Sequence, residues 1–274
     1  MLLLMWSILL AASLASLKED PSMDALIHNL PFEPNQLDGL SEKLLHELYF
    51  ASLGGKGASM EPPMKLALEA NFGSVERWRE EFVACAKAQG GGSGWMLLAF
   101  QPREGSLVNQ WAADHTHALA GGVPILALDM YEHAYHLDFG AAAGAYVDAF
   151  MANIDWPAVY QCYQAAVHAA SEPFAGTVDD VSKAALFDVR RAGVFQQAPT
   201  MIPGARWCDP VAVGDWAREL PADQPVVVYC VYGHEVSRST ALRLRAAGVD
   251  ARYLSGGIDG WQAAGRPVID KPAG

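Results

Sequence analysis

Basic residues are scarce in this 274-residue chain: Lys and Arg number 19 against 31 for Asp and Glu, a formal charge of −12. No basic cluster stands out that could neutralise a run of phosphates, which argues against nucleic acid as a partner. Cysteine is equally sparse. Cys85, Cys162, Cys208 and Cys230 are scattered with no CxxC pair, so neither a disulfide framework nor a thiolate zinc site is indicated. Long apolar runs are missing except at the start, MLLLMWSILLAASLA, which falls short of the ~20 residues that span a bilayer. No stable membrane span is expected. That leader, residues 1–22, reads either as an export signal, with Ser13 and Ala15 suited to cleavage but no Lys or Arg before the apolar run, or as a start assigned too early in a cytoplasmic chain beginning at Met23. Internal repeats are absent too.

What remains is a folding chain. Half of its residues are hydrophobic and only 18% are charged, a balance that fills cores and excludes disorder. At roughly 100–200 residues per domain the length favours two domains. The pattern divides in the same way. SEKLLHELYFASL places Leu45, Leu48, Tyr49 and Ser52 at helical spacing before Gly54 and Gly55; SVERWREEFVACAKAQ offers Ser74 as an N-cap and Val75, Trp78, Phe82 and Ala86 as one apolar stripe. GWMLLAF and SLVNQW flank a PREG turn, VPILALD reads as a buried strand, and AAAGAYVDAFMANI and WPAVYQCYQAAVHAA as helices. SEPFAGTVDDVSK, residues 171–183, has the composition of a linker. Beyond it LFDV, PVVVYC and ARYL alternate with helical text such as VSRSTALRLRAAG. That alternation predicts a parallel sheet covered by helices. The expected fold class is therefore α/β overall, an α+β domain with a small antiparallel sheet over 23–170 and a parallel-sheet α/β domain over 184–274.

Two places carry chemistry. Asp129 and His133 leave a buried strand together in LALDMYEHAY, and His46 on the first helix would complete a carboxylate and two-imidazole set that suits iron or manganese. The bland alternative is a buried Asp hydrogen-bonded to a His. Cys230 ends the strand PVVVYC and precedes a tight loop and a helix, where loop amides and the helix dipole stabilise a thiolate. Its alternative is an inert buried thiol. Cys85 and Cys162 read as core or half-buried helix residues, and Cys208 as a loop residue that could resolve a bond at Cys230.

LALDMYEHAYHLDF, GGGSGW and MANIDWPAVYQCY together resemble the iron/manganese superoxide dismutases over about 41–170, with Tyr131 where the signature DxWEHAY has Trp. The resemblance implies dismutation of superoxide to dioxygen and hydrogen peroxide by an iron or manganese ion held by His46, Asp129 and His133, with Tyr49 and Trp95 lining the pocket. It implies a homodimer in which Glu132 reaches the partner's metal-site imidazole. It also makes His117 the first candidate, before Gln110 or His115, for the group that hydrogen-bonds metal-bound solvent. One part of the pattern is missing. NLPFEPNQLDGLSEKLL runs directly into HELYF, without the middle of a helical hairpin that supplies a further His ligand in relatives, and His28 lies upstream of the LPF segment.

LFDVR, IPGARW, the Cys230 loop and YLSGGIDGWQAAGRPV are similar in order to single-domain rhodaneses. This resemblance implies that Cys230 accepts a sulfane sulfur as a persulfide and passes it on, that Asp188 and Arg190 pair structurally, and that Trp261 packs. Gly233 lets the loop turn. Where many relatives carry an Arg two residues beyond that glycine, this chain has His234 and Glu235, and a carboxylate in the loop would oppose an anionic donor. Two rival readings follow from these departures: a sulfurtransferase on a degenerate dimerising scaffold, and a binding protein with both sites silent.

Overall fold

The computed structural model describes residues 34–55, 57–117, 119–220 and 224–271. Residues 1–40 form a separate unit, described only in the helical stretch from Pro34; the leader, the LPF segment and His28 lie outside the described residues. Helix α1 spans Pro34–Ala51, and is followed by α2 (Pro62–Phe72) and α3 (Val75–Ala88). Ser74 caps α3 as its sequence predicts: the hydroxyl accepts the N–H of Arg77. Trp78, Phe82 and Ala86 point from this helix into the core.

Strands β1 (Trp95–Gln101), β2 (Ser106–Ala112) and β3 (Val123–Asp129) form the antiparallel order β2-β1-β3. Central β1 is buried through Phe100, which explains its unbroken apolar run in place of alternation. The last strand exits into α4 (Glu132–Phe139), and α5 (Ala143–Ala152) and α6 (Trp156–Ser171) close the layer. Asp155 caps α6 by accepting the Ala158 N–H, and Pro157 occupies its first turn without losing a needed donor.

The second sheet begins earlier than its sequence indicates. Strand β4 (Ala175–Gly176) and helix α7 (Val178–Val181) fall inside the stretch read as a linker, and β4 pairs in parallel with a strand near the C-terminus. Two residues of Ala and Gly carry no periodic signal, so their pairing is set by the partner strand. Strand β5 (Ala185–Asp188), helix α8 (Ala192–Gln197), strands β6 (Thr200–Met201) and β7 (Arg206–Trp207), helix α9 (Val213–Trp216), strand β8 (Val226–Tyr229), helix α10 (Glu235–Ala246), strand β9 (Ala251–Leu254), helix α11 (Gly257–Ala263) and strand β10 (Ile269–Asp270) complete the chain. The sheet is parallel throughout, in the order β4-β9-β8-β5-β7, with β6 and β10 paired beside it. Strand alternation with helices produces this arrangement. Asp188 and Arg190 form a buried ion pair, and Trp261 packs while donating its indole N–H to the Pro267 carbonyl.

The two layers share a core. Leu242 of α10 packs into the cluster built by Trp78, Trp95 and Phe100. Gly105, in the β1–β2 turn at φ +61°, lies so close to α10 that a Cβ would sit 2.6 Å from the Leu242 Cβ. A side chain there would push the helix away. None of the described helices is long and apolar enough to cross a membrane.

Phe82 has no exposed surface and sits amid this core. Its truncation to Ala is expected to cost about 3–5 kcal/mol, read as a lowered denaturant midpoint at unchanged slope; a loss below about 1 kcal/mol, the range of ordinary substitutions, would remove it from the supporting core.

Candidate metal centre and cysteine loop

Three side chains from distant parts of the sequence meet where β3 ends. His46 comes from the last turns of α1, Asp129 from the end of β3 and His133 from the first turn of α4. Their ligand atoms all lie within 4.8 Å of one another. The Asp129 Oδ2 is 3.1 Å from His133 Nε2 and 3.3 Å from His46 Nε2, and the two imidazole nitrogens are 3.5 Å apart. Donors set about 90–120° apart around an ion, with bonds of about 2.1 Å, are separated by about 3.0–3.6 Å. The trio has the spacing of a coordination face.

Neighbours orient each member. Asp129 is only 1% exposed; its Oδ1 accepts the Tyr131 N–H, leaving Oδ2 for the imidazoles. His46 Nδ1 lies 2.8 Å from the Glu42 carbonyl, one turn back on the same helix. With its proton committed there, neutral His46 presents a lone pair at Nε2. Burial raises the Asp129 pKa, but hydrogen bonds from His133, His46 and Tyr131 outweigh it and hold the carboxyl below the ordinary range. The Asp129 hydrogen bond in turn raises both imidazoles against the opposing effect of burial. One concentrated negative charge governs the site, and its field favours a cation there.

An aromatic shell surrounds the trio. Trp95 meets the His46 ring edge-on at 4.9 Å, and Tyr131 stacks between His115 and His133, at 5.0 and 5.5 Å. Trp95 donates its indole N–H to His115 Nδ1 at 3.0 Å, so a neutral His115 carries its proton on Nε2. The loop after β2 therefore sends His115 to the shell, 5.9 Å from the His46 ring. His117 turns instead to Asp114, its Nε2 3.5 Å from Oδ2, and Gln110 spends its amide on the His117 carbonyl and the Leu119 N–H. His117, the first candidate by resemblance, thus pairs with Asp114, and His115 is the imidazole of this loop that reaches the shell. Three polar side chains in one loop look alike in sequence; the indole of Trp95, a strand away, selects among them.

Tyr49 is buried, as its place on α1 requires. The Tyr146 hydroxyl donates to the Asp129 carbonyl at 2.8 Å and lies 3.0 Å from the Tyr49 hydroxyl. Tyr146 was not singled out in the sequence because it reads there as one more apolar position of α5. Burial pushes both phenols above their ordinary pKa. Glu132 is exposed at the start of α4.

In the second domain Cys230 closes β8, 7% exposed, with its Sγ 3.2 Å from the Ser237 Oγ of α10. Gly233 adopts φ +72°, and a Cβ there would fall 2.6 Å from the Leu254 carbonyl. Only glycine fits this turn. The Cys230 and Val231 carbonyls accept the N–H groups of Ile258 and Asp259 from α11. This grip pins the loop to the following helix. Glu235 does not stand in the loop mouth as its sequence position implied. Its side chain is buried, with Oε2 accepting from Tyr160 at 2.9 Å and Oε1 from Gln164 at 2.6 Å, both on α6. Burial alone would raise this carboxyl, yet the bonds from Gln164, the backbone and Tyr160 bring it below the ordinary range. Tyr232 and His234 are left exposed on the loop.

Comparison with known proteins agrees with both halves. Residues 60–162 match the family described as iron/manganese superoxide dismutases, C-terminal domain, and residues 175–264 match the rhodanese-like domain. A superoxide dismutase [Fe] of Cupriavidus metallidurans is 59% identical over 132 residues, 48% of this chain and 66% of the relative. A superoxide dismutase [Mn] of Halobacterium salinarum is 43% identical over 119 residues, 42% of this chain and 58% of the relative. A superoxide dismutase [Fe] of Aquifex pyrophilus is 36% identical over 129 residues, 46% and 59% of the two chains. The chain thus spans less than two-thirds of the length of these relatives. Two successive stretches of the chain are therefore similar to two families, first to the C-terminal domain of the iron/manganese superoxide dismutases and then to the rhodanese-like domain.

Proposed function

We propose that the first domain dismutates superoxide to dioxygen and hydrogen peroxide at the His46–Asp129–His133 trio, and that the second transfers sulfur through Cys230. The observation that carries the first part is the convergence of one carboxylate oxygen and two imidazole nitrogens at coordination spacing. Relatives named for iron and for manganese support either ion in this chain. When bound, such an ion supplies a redox couple that oxidises one superoxide and reduces the next, the second step consuming two protons. The chain's own residues supply position and protons. Asp129 Oδ2, His46 Nε2 and His133 Nε2 would hold the ion, and the Glu42 carbonyl keeps His46 in the ligating tautomer. Tyr49 keeps its proton at neutral pH and communicates with Asp129 through Tyr146. Trp95 and His115 pack against the His46 ring on one side.

A homodimer belongs to this reading. The His133 side chain is 59% exposed, with Leu137 exposed one turn on along α4. A ligand so open to water is served by a second copy covering it, and Glu132 beside it has the reach to bond an imidazole of that copy.

Sulfur transfer in this reading turns on one thiolate. Cys230 attacks the sulfane sulfur of a donor such as thiosulfate, forming a persulfide and releasing sulfite; an acceptor nucleophile such as cyanide then takes the outer sulfur and restores the thiolate. Ser237 lies within hydrogen-bond reach of the sulfur. The reading of the first domain as a mere scaffold loses support from the intact trio.

His133→Ala is expected to lower iron or manganese retention at least about tenfold and to abolish dismutation, while thiocyanate release from thiosulfate and cyanide continues; unchanged metal content by elemental analysis would strike His133 from the ligand set. Cys230→Ser is expected to do the reverse, eliminating thiocyanate release with metal content intact. Persistent sulfur transfer in that variant would refute the nucleophile.

A further inference from the structure

Glu235 is the first residue of the helix that follows the Cys230 loop, and nothing in sulfur chemistry calls for a carboxylate there. It is nonetheless 3% exposed, and Tyr160 and Gln164, which hydrogen-bond it, and His168, which stands close by, all belong to α6 of the other domain. Tyr160, Gln164 and His168 stand one turn apart on a single face of that helix, so Glu235 meets three consecutive rungs. The Tyr160 hydroxyl donates to Oε2 and the Gln164 amide to Oε1, and His168 Nε2 lies 3.3 Å from Oε1. Arg238, one turn further on α10, clamps both sides. Its guanidinium donates to the Gly233 carbonyl inside the Cys loop and to the Ser171 hydroxyl at the end of α6, and packs over the Tyr253 ring.

We propose that Glu235 is a positioning residue for Cys230: held by Tyr160 and Gln164, it docks the first turn of α10 on the superoxide dismutase-like domain and so fixes the loop that encloses the thiol. The path is short. Ser237, two residues on from Glu235, is the group against the Cys230 sulfur, and Gly233, two residues before it, is where Arg238 grips the loop. A buried carboxylate that loses its donors is left with an uncompensated desolvation penalty, so the dock is closed in the folded chain. The reactivity of one domain's cysteine thereby depends on side chains of the other.

The inference rests on Cys230 being the reactive thiol of its domain, and the experiment separates the two. Gln164→Glu sets a second carboxylate against Glu235 and breaks the dock; Glu235→Gln combined with Gln164→Glu reverses donor and acceptor and restores the bond. The rate of Cys230 alkylation by iodoacetamide, followed by peptide mass spectrometry in the full chain, reports loop closure whether or not sulfur is transferred. Gln164→Glu is expected to raise that rate on the order of fivefold or more, since local opening exposes a thiol now buried, and the double variant to return it to within about twofold of the parent. Metal content and the unfolding midpoint are measured alongside, and Tyr160→Phe, which removes a single bond, serves as the milder variant should Gln164→Glu fail to fold. An alkylation rate less than about fivefold above the parent in Gln164→Glu, or equal to the parent in Tyr160→Phe if only that variant folds, overturns the proposal. So does a double variant as reactive as the single one. Absence of thiocyanate release from the parent overturns the sulfurtransferase reading instead.

Discussion

A carboxylate withdrawn from water at the end of a strand must be met by donors or by a cation, and Asp129 is the group around which the first domain is arranged. Its position follows from the sheet. Strand β3 pairs with β1 along its length, with Asp129 opposite Trp95, so the two residues sit at the same end of the sheet. Helix α4 begins immediately afterwards and returns His133 to the carboxylate; α1 brings His46 across from the other side. Were the pairing to slip by one residue, Asp129 would move to the opposite face and none of these contacts would form.

This dependence explains what was legible in the sequence. Ser74, the Trp78–Phe82–Ala86 stripe and the strand runs are local signals, because caps and periodicity involve residues within a turn or two of one another. Asp129 and His133 were legible for the same reason, being four residues apart. His46 lies 87 residues from His133, a separation at which residue types can suggest a ligand set but spacing cannot show that its members meet. The choice between His115 and His117 was beyond local signals. It is made by an indole N–H from β1, and two histidines separated by one residue offer it equal chemistry on paper.

The second domain shows the same limit from the other side. A parallel sheet is assembled from strands distant in sequence, so alternation announces its existence but not its edge. Ala175 and Gly176 become a strand only because β9 offers unpaired backbone groups beside them, and their composition alone resembles a connector. Glu235 misled for a related reason. Next to a cysteine loop, a carboxylate is read as facing the loop, whereas the partners that bury it stand on α6, 67 to 75 residues earlier.

Asp129 and Glu235 make a controlled comparison, being two buried carboxylates in one chain, one at the end of a strand and one at the start of a helix. Glu235 has both oxygens bound by donors that carry their own protons, a phenol and an amide. Nothing remains on it to attract a metal ion, and its energy goes into holding two helices together. Asp129 has one oxygen satisfied by a backbone N–H and the other turned toward imidazole nitrogens, and one of those rings, His46, donates from its far nitrogen, Nδ1, to the Glu42 carbonyl. An oxygen facing a nitrogen lone pair across 3.3 Å is repelled unless positive charge lies between them. The first geometry is complete in itself and therefore structural. The second is balanced only by a cation or by protons taken up on its imidazoles, so the same functional group, buried in both places, is complete in one setting and open to a cation in the other.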